Sequence, residues 1–163
     1  MPRASIGRVN LFLPYFNAYM PRYGIATRLR MAAFLATVAH ESGSLVYTRE
    51  IASGNAYEGR KDLGNVFKGD GVRFRGRGLI QLTGRANYTE MTKDFSIDVV
   101  HNPTLVEMPE LAVRSACWFW WKRGLNVIAD TNDMVRVTKI VNGGTNGLSD
   151  RLQYYKRALQ VLP

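Results

Sequence analysis

The sequence predicts a mainly α-helical protein in which two blocks of helices flank a long irregular segment that lines a cleft. Apolar residues recur at helical spacing near both ends of the chain. Between the two blocks, residues 43–82 hold eight of the 15 glycines. A connection of this length is unusual in a compact domain and is typically functional. We therefore expect this segment to carry binding or catalytic groups.

The N-terminal block contains two predicted helices. The first covers residues 5–20 and is interrupted by Pro14. The second runs from Thr27 to about Ser42, where alanine and leucine recur at helical spacing. Gly43 suits a cap at the C-terminal end of that helix.

The C-terminal block contains four predicted helices, each bounded by residues that suit a helix end. They run from near Thr83 through Met91, from Pro109 to Gly124, from Asp130 or Asn132 to Gly143, and from Ser149 to the end of the chain. Just before them, residues 79–83 are predicted to form a short extended stretch.

Composition and charge restrict the class of protein. With 163 residues, 46% of them hydrophobic, the chain is typical of a single domain over residues 1–163. Its 22 Lys and Arg exceed its 13 Asp and Glu, and the net charge of +9 favours polyanionic partners such as nucleic acid, anionic lipid or an acidic wall polymer. A lone cysteine, Cys117, excludes an intramolecular disulfide, and its apolar neighbours predict a core position.

No targeting segment is expected. The N-terminal residues lack an uninterrupted apolar run, so no signal peptide is predicted. No stretch approaches the ~20 apolar residues of a membrane helix. The sequence predicts a protein that stays in the cytoplasm where it is made until something else releases it, and nothing in it requires more than a monomer.

Glu41 is the first candidate for chemistry, because it ends an alanine-rich helix within His40-Glu41-Ser42. The dipole at the C-terminal end of a helix disfavours a negative charge. That environment favours the protonated carboxyl group that a general acid needs. The alternative interpretation is an ordinary solvated residue. His40 and His101 have no evident metal-binding partners, so neither a metal nor a cofactor is predicted.

Glu50 and Glu58 are candidates for a second carboxylate, nine and seventeen positions after Glu41. Inverting hydrolysis of a glycosidic bond needs one carboxylic acid and one carboxylate, ~6.5–9.5 Å apart with a water between them. A loop of this length permits that separation. Taken singly, each glutamate is equally well interpreted as a solvated loop residue.

The glycine- and arginine-rich run over residues 69–85 lacks the Gly-Lys-Ser/Thr ending and the strand–turn–helix frame of a nucleotide-binding loop. Its glycines would let the backbone approach a sugar chain closely, and Gln81 and Thr83 would face one cleft. The alternative is a buried turn whose arginines pair with carboxylates. Further on, Asn142 either belongs to a helix cap or offers its amide to a ligand.

Four segments in series carry a family resemblance: Leu13–Ile25, Ala39–Gly43, Arg75–Thr83 with Asn87-Tyr88, and Val141–Gly144. Together they resemble the glycoside hydrolase family 19 chitinase and lysozyme group, particularly its bacteriophage endolysin branch. The resemblance spans most of the chain. It implies a mainly α-helical, lysozyme-like fold with two lobes, and inverting hydrolysis of β-1,4 bonds next to N-acetylated sugars.

The resemblance also implies roles for particular residues. Glu41 matches the general acid, Glu50 best matches the general base with Glu58 as the alternative, and Thr83 matches the residue that helps to hold the nucleophilic water. The positions grouped with substrate binding are Gln81, Asn87, Tyr88, Asn142 and Arg151. Of these, Arg151 matches an arginine that tunes the carboxylates.

The chain lacks the disulfides and several loop insertions of plant chitinases of that family, which implies a shorter groove. Together with the net charge of +9, this favours bacterial peptidoglycan as substrate and cleavage between N-acetylmuramic acid and N-acetylglucosamine. We expect one catalytic domain without a separate wall-binding module, acting as a bacteriolytic endolysin in host lysis after a membrane pore made by another protein lets it reach the periplasm and wall.

Three alternatives stay open at this point. The first is a chitinase acting on N-acetylglucosamine polymers. The second is a non-catalytic basic module that binds wall or nucleic acid; the helical setting of Trp118, Trp120 and Trp121 predicts core positions for them instead, so no nucleic-acid partner is expected. The third adds weak contact of the C-terminal helix with an anionic membrane, through its basic face and the apolar residues Leu152, Tyr155 and Leu159.

Overall fold

The computed structural model describes residues 1–163 and consists of helices and turns without a β-strand. The α-helices are α1 (Ile6–Tyr19), α2 (Arg28–Glu41), α3 (Asp70–Arg73), α4 (Arg85–Phe95), α5 (Pro109–Lys122), α6 (Leu125–Asp130), α7 (Met134–Asn142) and α8 (Leu148–Val161). Short 3-10 turns lie at Pro21–Tyr23, Asn55–Tyr57, Lys61–Leu63 and Pro103–Glu107. The predicted mainly helical fold class is confirmed.

Two hydrophobic cores divide the molecule into two lobes. The larger core contains Phe34 and Trp120, and the smaller one contains Tyr88 and Met91. Helix α5 contributes to both, since Trp118 packs in the smaller core and Trp120 in the larger. Residues two positions apart on an α-helix point to nearly opposite sides, so α5 forms the shared wall between the lobes.

Helix α2 runs through the larger core and ends at Glu41. Its first turn is capped by Thr27, whose Oγ1 accepts a hydrogen bond from the Arg30 N–H at 3.3 Å. Alanines such as Ala32 and Ala36 are buried on it, and α8 is its main packing partner. This packing brings the C-terminal end of α2 beside the N-terminal end of α8.

The glycine-rich segment 43–82 forms turns that are held by backbone contacts. The Glu50 N–H donates to the Gly76 carbonyl at 2.9 Å, which joins the beginning of the segment to its end. Gly54 and Gly71 make a close approach between backbones: a Cβ on Gly54 would lie 2.5 Å from the Gly71 oxygen. Gly54 also has φ +86°, a conformation that favours glycine.

Helices α1 and α6 differ from the prediction. Helix α1 continues through Pro14, because Phe12 and Phe16 on either side are buried in the larger core and hold the helix in place. Helix α6 was not predicted. Gly124 adopts φ +63° and ends α5, and a new helix starts at the next residue, so one glycine separates two helices.

The last two helices begin at other residues than predicted. Helix α7 starts at Met134 and is capped by Asp133, which accepts a hydrogen bond from the Arg136 N–H at 2.9 Å. The prediction that Ser149 caps the last helix is wrong, because α8 begins one residue earlier after Gly147, which has φ +74°.

Two further predictions about local environment are corrected. Residues 79–83 are not extended: Gln81 has φ +56°, and the Leu82 N–H donates to the Arg77 carbonyl at 2.8 Å in a tight turn. Trp121 is 53% exposed, so its predicted core position is wrong, whereas the core position of Cys117 is confirmed.

The apolar side of α8 is used by the fold itself. Tyr155 is buried in the larger core, and Leu152 and Leu159 pack against it. A membrane contact through this helix therefore stays a prediction that would have to compete with this packing. None of the helices has both the length and the apolar character needed to cross a bilayer.

Candidate active site

Glu41 is held by a buried arginine from the opposite helix. The Arg151 guanidinium, whose side chain is 1% exposed, donates from Nη2 to the Glu41 Oε1, and the Glu41 side chain is 21% exposed. Arg151 also donates from Nη1 to the Asn146 carbonyl at 2.8 Å. Since Arg151 occupies only Oε1, Oε2 of Glu41 has no protein partner and is the oxygen available to a ligand.

A second pair links the same two helices. His40 Nδ1 lies 2.8 Å from Asp150 Oδ2, and Arg3 lies 3.6 Å from the other oxygen of that carboxylate. Gly147 packs directly on the imidazole, and a Cβ there would overlap the His40 ring and come within 2.8 Å of Arg151 Nη1. The pair and the glycine fix the position of the α8 N-terminus against Glu41.

Glu50 is held by uncharged donors. Its Oε1 accepts a hydrogen bond from the Tyr57 hydroxyl at 3.0 Å, and its Oε2 accepts one from the Gly76 N–H at 2.9 Å. A Cβ at Gly76 would lie 3.0 Å from Oε2 and 3.0 Å from Gln81 Oε1, so this backbone passes close to both side chains. Burial and the hydrogen bond to Glu50 raise the pKa of Tyr57, so its hydroxyl keeps its proton as the donor.

The two carboxyl groups line one open cavity of about 310 Å³. Its other lining residues are Tyr47, Arg49, Ile51, Ala52 and Gln81. A neighbouring cavity of about 440 Å³ shares Glu50 and continues towards Arg75 and Glu107. The structure thus brings together the predicted residues Glu41, Glu50 and Gln81 at one groove.

Gln81 is fixed in an unusual backbone conformation by its neighbours. It has φ +56°, and its Nε2 donates to the Gly78 carbonyl at 3.1 Å. The Thr83 hydroxyl donates to the Gln81 carbonyl at 2.9 Å, and Asn87 Nδ2 donates to the Thr83 carbonyl at 2.7 Å. Oε1 of Gln81 is buried without a partner. Thr83 and Asn87 therefore support the Gln81 turn and do not line the cavity that holds the two carboxyl groups.

Glu58, the alternative base, lies elsewhere. Its two carboxylate oxygens accept hydrogen bonds from the N–H groups of Gly69 at 2.6 Å and Gly71 at 2.8 Å, beside the first turn of α3. It does not line the cavity shared by Glu41 and Glu50. The geometry favours Glu50 over Glu58 as the second carboxylate.

Two residues predicted to bind substrate, Tyr88 and Arg151, have buried side chains. Tyr88 is fully buried in the smaller core, where its hydroxyl donates to the Arg75 carbonyl at 3.1 Å and accepts from Arg77 at 3.2 Å. Burial raises the pKa of Tyr88 to about 12. Arg151 is buried too and touches Glu41 rather than the groove, which fits the predicted tuning role and not a substrate contact.

Asn142 is exposed and donates to the Asn146 carbonyl at 3.2 Å, apart from the lining residues.

Sequence reasoning missed two donors of the site, Tyr57 and Gly76. Tyr57 lies seven positions after Glu50 in an irregular loop, and no periodic pattern connects the two. Gly76 lies between two arginines, and its glycine identity was the available signal for a close backbone approach. The cavity residues Tyr47 and Arg49 lie just before Glu50 in the irregular segment, where no periodic pattern marks them as site residues.

The arrangement suits acid–base hydrolysis of an acetal. One carboxyl group is held by a single charged donor on one oxygen, and the other is held by neutral donors on both oxygens. Two carboxyl groups in different environments can take different protonation states. Inverting glycosidic hydrolysis requires two such groups at one cavity, a carboxylic acid and a carboxylate.

Comparison with known proteins identifies the family. The family model Glyco_hydro_19, described as Chitinase class I, matches residues 16–136. A glycosyl hydrolase family 19 domain-containing protein of Haemophilus influenzae is 30% identical over 176 residues, which cover 89% of this chain and 86% of that protein. An endochitinase of Arabidopsis thaliana is 32% identical over 155 residues, which cover 90% of this chain but 52% of the endochitinase. The chain thus spans about half the length of that plant relative.

Solved structures share the fold. Chitinase C from Streptomyces griseus superposes with a TM-score of 0.77 at 23% identity, over 99% of this chain and 87% of the chitinase chain. A family 19, class IV chitinase from Zea mays gives a TM-score of 0.68 at 25% identity, over 94% of this chain and 76% of that chain. The resemblance noted from the motifs is thereby confirmed at the level of the family, and the chain belongs to glycoside hydrolase family 19 and is a glycosidase.

Proposed function

We propose that this protein is a peptidoglycan hydrolase that cleaves the β-1,4 bond between N-acetylmuramic acid and N-acetylglucosamine with inversion. The observation that carries the proposal is the shared cavity of Glu41 and Glu50, one carboxyl group held by Arg151 and the other by neutral donors. The net charge of +9 supports an anionic wall polymer over an uncharged one.

Glu41 acts as the general acid. Arg151 engages Oε1, so Oε2, which has no protein partner, is the oxygen through which a proton would be transferred. As the bond between the anomeric carbon and the glycosidic oxygen breaks, Glu41 gives this proton to the leaving oxygen, which departs as a sugar hydroxyl. The Arg151 guanidinium then stabilises the Glu41 carboxylate that is left behind.

Glu50 acts as the general base. It takes a proton from a water molecule while the water oxygen bonds to the anomeric carbon on the face opposite the leaving group. Tyr57 and Gly76 hold the two carboxylate oxygens in place, and Gln81 lies on the same wall of the cavity. Glu50 finishes protonated and Glu41 ionised, and exchange with solvent restores both for the next turnover.

Chitin hydrolysis is the second candidate. It is favoured by the names of the relatives, several of which are endochitinases. The same two carboxyl groups would serve, because the reacting bond is also a β-1,4 link beside an N-acetylated sugar. An uncharged polymer, however, would gain nothing from the basic surface of this chain.

Products distinguish the two candidates. Purified peptidoglycan and an N-acetylglucosamine hexamer are digested, and the new reducing ends are reduced with borohydride and identified by mass spectrometry. Muramitol ends from the wall are the expected result. In a separate digest that is not reduced, NMR should show that the α-anomer of the new reducing end forms first. Glucosaminitol ends from the wall, cleavage of the hexamer alone, or a β-anomer formed first would each overturn the proposal in its stated form.

Action as an endolysin adds a cellular context to this chemistry. The expectation is that the protein lyses a host bacterium from within once a pore made by another protein gives it access to the wall. Cells whose inner membrane has been permeabilised should lyse when the protein is expressed inside them, and intact cells expressing it alone should not. Equal lysis in both conditions would refute the need for a separate pore.

A further inference from the structure

The cavity of about 440 Å³ beside Glu50 contains two basic side chains without partners. Arg49 and Arg75 both line it, together with Glu50 and Glu107. Neither guanidinium belongs to an ion pair of this structure. Arg49 is exposed, whereas Arg75 is half-buried and its Nε is buried without a hydrogen-bond partner.

The acidic groups of the same cavity are already engaged. Glu50 accepts hydrogen bonds from Tyr57 and Gly76. Glu107 accepts one from the Arg77 Nε at 2.8 Å, and the Arg77 side chain is 5% exposed. Since these carboxylates have their own donors, the two free guanidinium groups are left to attract an external anion.

Arg75 is also held in position before any ligand arrives. Its carbonyl accepts hydrogen bonds from the Tyr88 hydroxyl at 3.1 Å and from Arg77 Nη1 at 3.3 Å. Gly54 packs so closely that a Cβ there would lie 2.8 Å from the Arg75 Cβ. With its backbone and Cβ fixed and its Nε buried, Arg75 has fewer conformations to lose when its guanidinium binds a planar carboxylate through two parallel hydrogen bonds.

We infer that Arg49 and Arg75 form a carboxylate-binding subsite that takes the acidic peptide side chain of the glycan next to the scissile bond. The inference rests on the proposed function. Peptidoglycan carries a lactyl-linked peptide with free carboxylates on alternate sugars, whereas chitin has no anionic substituent. The subsite makes the protein specific for peptide-bearing glycan over bare glycan.

The test compares three substrates: purified peptidoglycan, the same glycan after an amidase has removed its peptides, and the N-acetylglucosamine hexamer. The variants are Arg49→Gln, Arg75→Gln and the double variant. The matched control is Arg136→Gln, which changes an exposed arginine on α7 that lines neither cavity. Thermal unfolding of each variant verifies the fold.

The wild-type protein is expected to prefer peptide-bearing glycan, and each single variant to lose roughly tenfold in kcat/KM on that substrate, as expected for one charge-assisted contact. The loss on bare glycan should be severalfold smaller, and Arg136→Gln should match the wild type on all three substrates. Equal losses on bare and peptide-bearing glycan, or no loss on either, would overturn the subsite while leaving the proposed function standing. A wild-type protein that cleaves the hexamer but neither wall glycan would overturn the proposed function and the subsite with it.

Discussion

Arg151 on α8 and Glu41 at the end of α2 form an ion pair in which the arginine is buried and only one carboxyl oxygen is engaged. The pair joins the two helices that pack most extensively against each other. It also determines which oxygen of Glu41 faces the cavity. The helix contact that stabilises the larger lobe therefore orients the Glu41 carboxyl group as well.

Changing Arg151 to Gln should lower kcat by roughly 10- to 100-fold with little effect on KM, because the side chain acts through Glu41 and does not touch the substrate. The free energy of unfolding should fall by about 3 kcal/mol, as expected when one partner of a buried pair is removed. Initial rates on purified wall and urea unfolding measure the two effects. Arg151→Lys keeps the charge and should recover part of the kcat.

The matched control for this prediction is Arg30→Gln, which breaks the partly exposed pair with Asp130. It should leave kcat unchanged and cost less than about 1 kcal/mol. A rise in KM without a fall in kcat for Arg151→Gln would place that residue in substrate binding instead.

Replacing Tyr57 by Phe removes the donor to Oε1 of Glu50 and leaves the Gly76 donor in place. We expect kcat to fall roughly tenfold, the equivalent of one hydrogen bond to a charged group. Tyr15→Phe is the control, since the Tyr15 hydroxyl has no partner in the structure and lies on α1. Steady-state kinetics with a soluble wall fragment checks both, and unchanged rates for Tyr57→Phe would remove Tyr57 from the positioning of the base.

Substitutions at Gly147 and Gly143 distinguish the cost of a left-handed backbone conformation from the cost of a steric clash. Both have φ near +75°, but a Cβ at Gly143 meets nothing within 4 Å, whereas one at Gly147 overlaps the His40 ring. Gly143→Ala should lower the free energy of unfolding by about 1 kcal/mol, because alanine is strained in the left-handed conformation. Gly147→Ala should cost ~1–3 kcal/mol more and also lower kcat, because it displaces His40 and Arg151. Equal losses of stability in the two variants would show that the contact at His40 is easily relieved.

Stability in acid should depend on Asp70. The Arg85 guanidinium holds the pKa of this almost completely buried carboxyl group below its ordinary value of 3.8. A folded-state pKa below the unfolded one means that the stabilisation is complete above the unfolded value and is lost as the pH falls through the folded value. Asp70→Asn should therefore cost about 3 kcal/mol at pH 7, and the difference from wild type should shrink below pH ~4.

Urea unfolding between pH 7 and pH 3 measures this difference. Asp62→Asn, which breaks an exposed pair with Arg60, is the control and should change stability far less. A difference between wild type and Asp70→Asn that is constant over the whole range would contradict the role of the Asp70 charge.

Features encoded locally were predictable from the sequence. Helix α2, predicted from Thr27 to about Ser42, spans Arg28–Glu41, and helix α5 begins at Pro109 as predicted. Periodicity and capping residues suffice there because each signal lies within one turn of the element it defines. Helix α6, which follows Gly124, was missed because it is only six residues long and has no side-chain cap.

Long-range contacts were beyond the sequence patterns. Tyr88 carries a hydroxyl and lies in a motif associated with substrate contact, yet its ring fills the smaller core and its hydroxyl bonds to Arg75. The choice between Glu50 and Glu58 needed the fold, because the deciding donors, Gly76 and Gly69, come from distant or turn positions in an aperiodic segment. Trp121 is exposed although Trp118 and Trp120 on the same helix are buried, since only the faces of α5 turned to the two cores are covered.

Three variants compared on one substrate test whether Glu41 and Glu50 are the two reacting carboxyl groups. Glu41→Gln, Glu50→Gln and Glu58→Gln are isosteric changes, and their initial rates of reducing-end release from purified peptidoglycan are measured alongside their thermal unfolding. We predict that the first two lose at least ~100-fold in rate while staying folded, and that Glu58→Gln keeps a rate close to wild type. Near-normal turnover by Glu41→Gln, or a loss at Glu58 as large as that at Glu50 in a folded protein, would contradict this prediction.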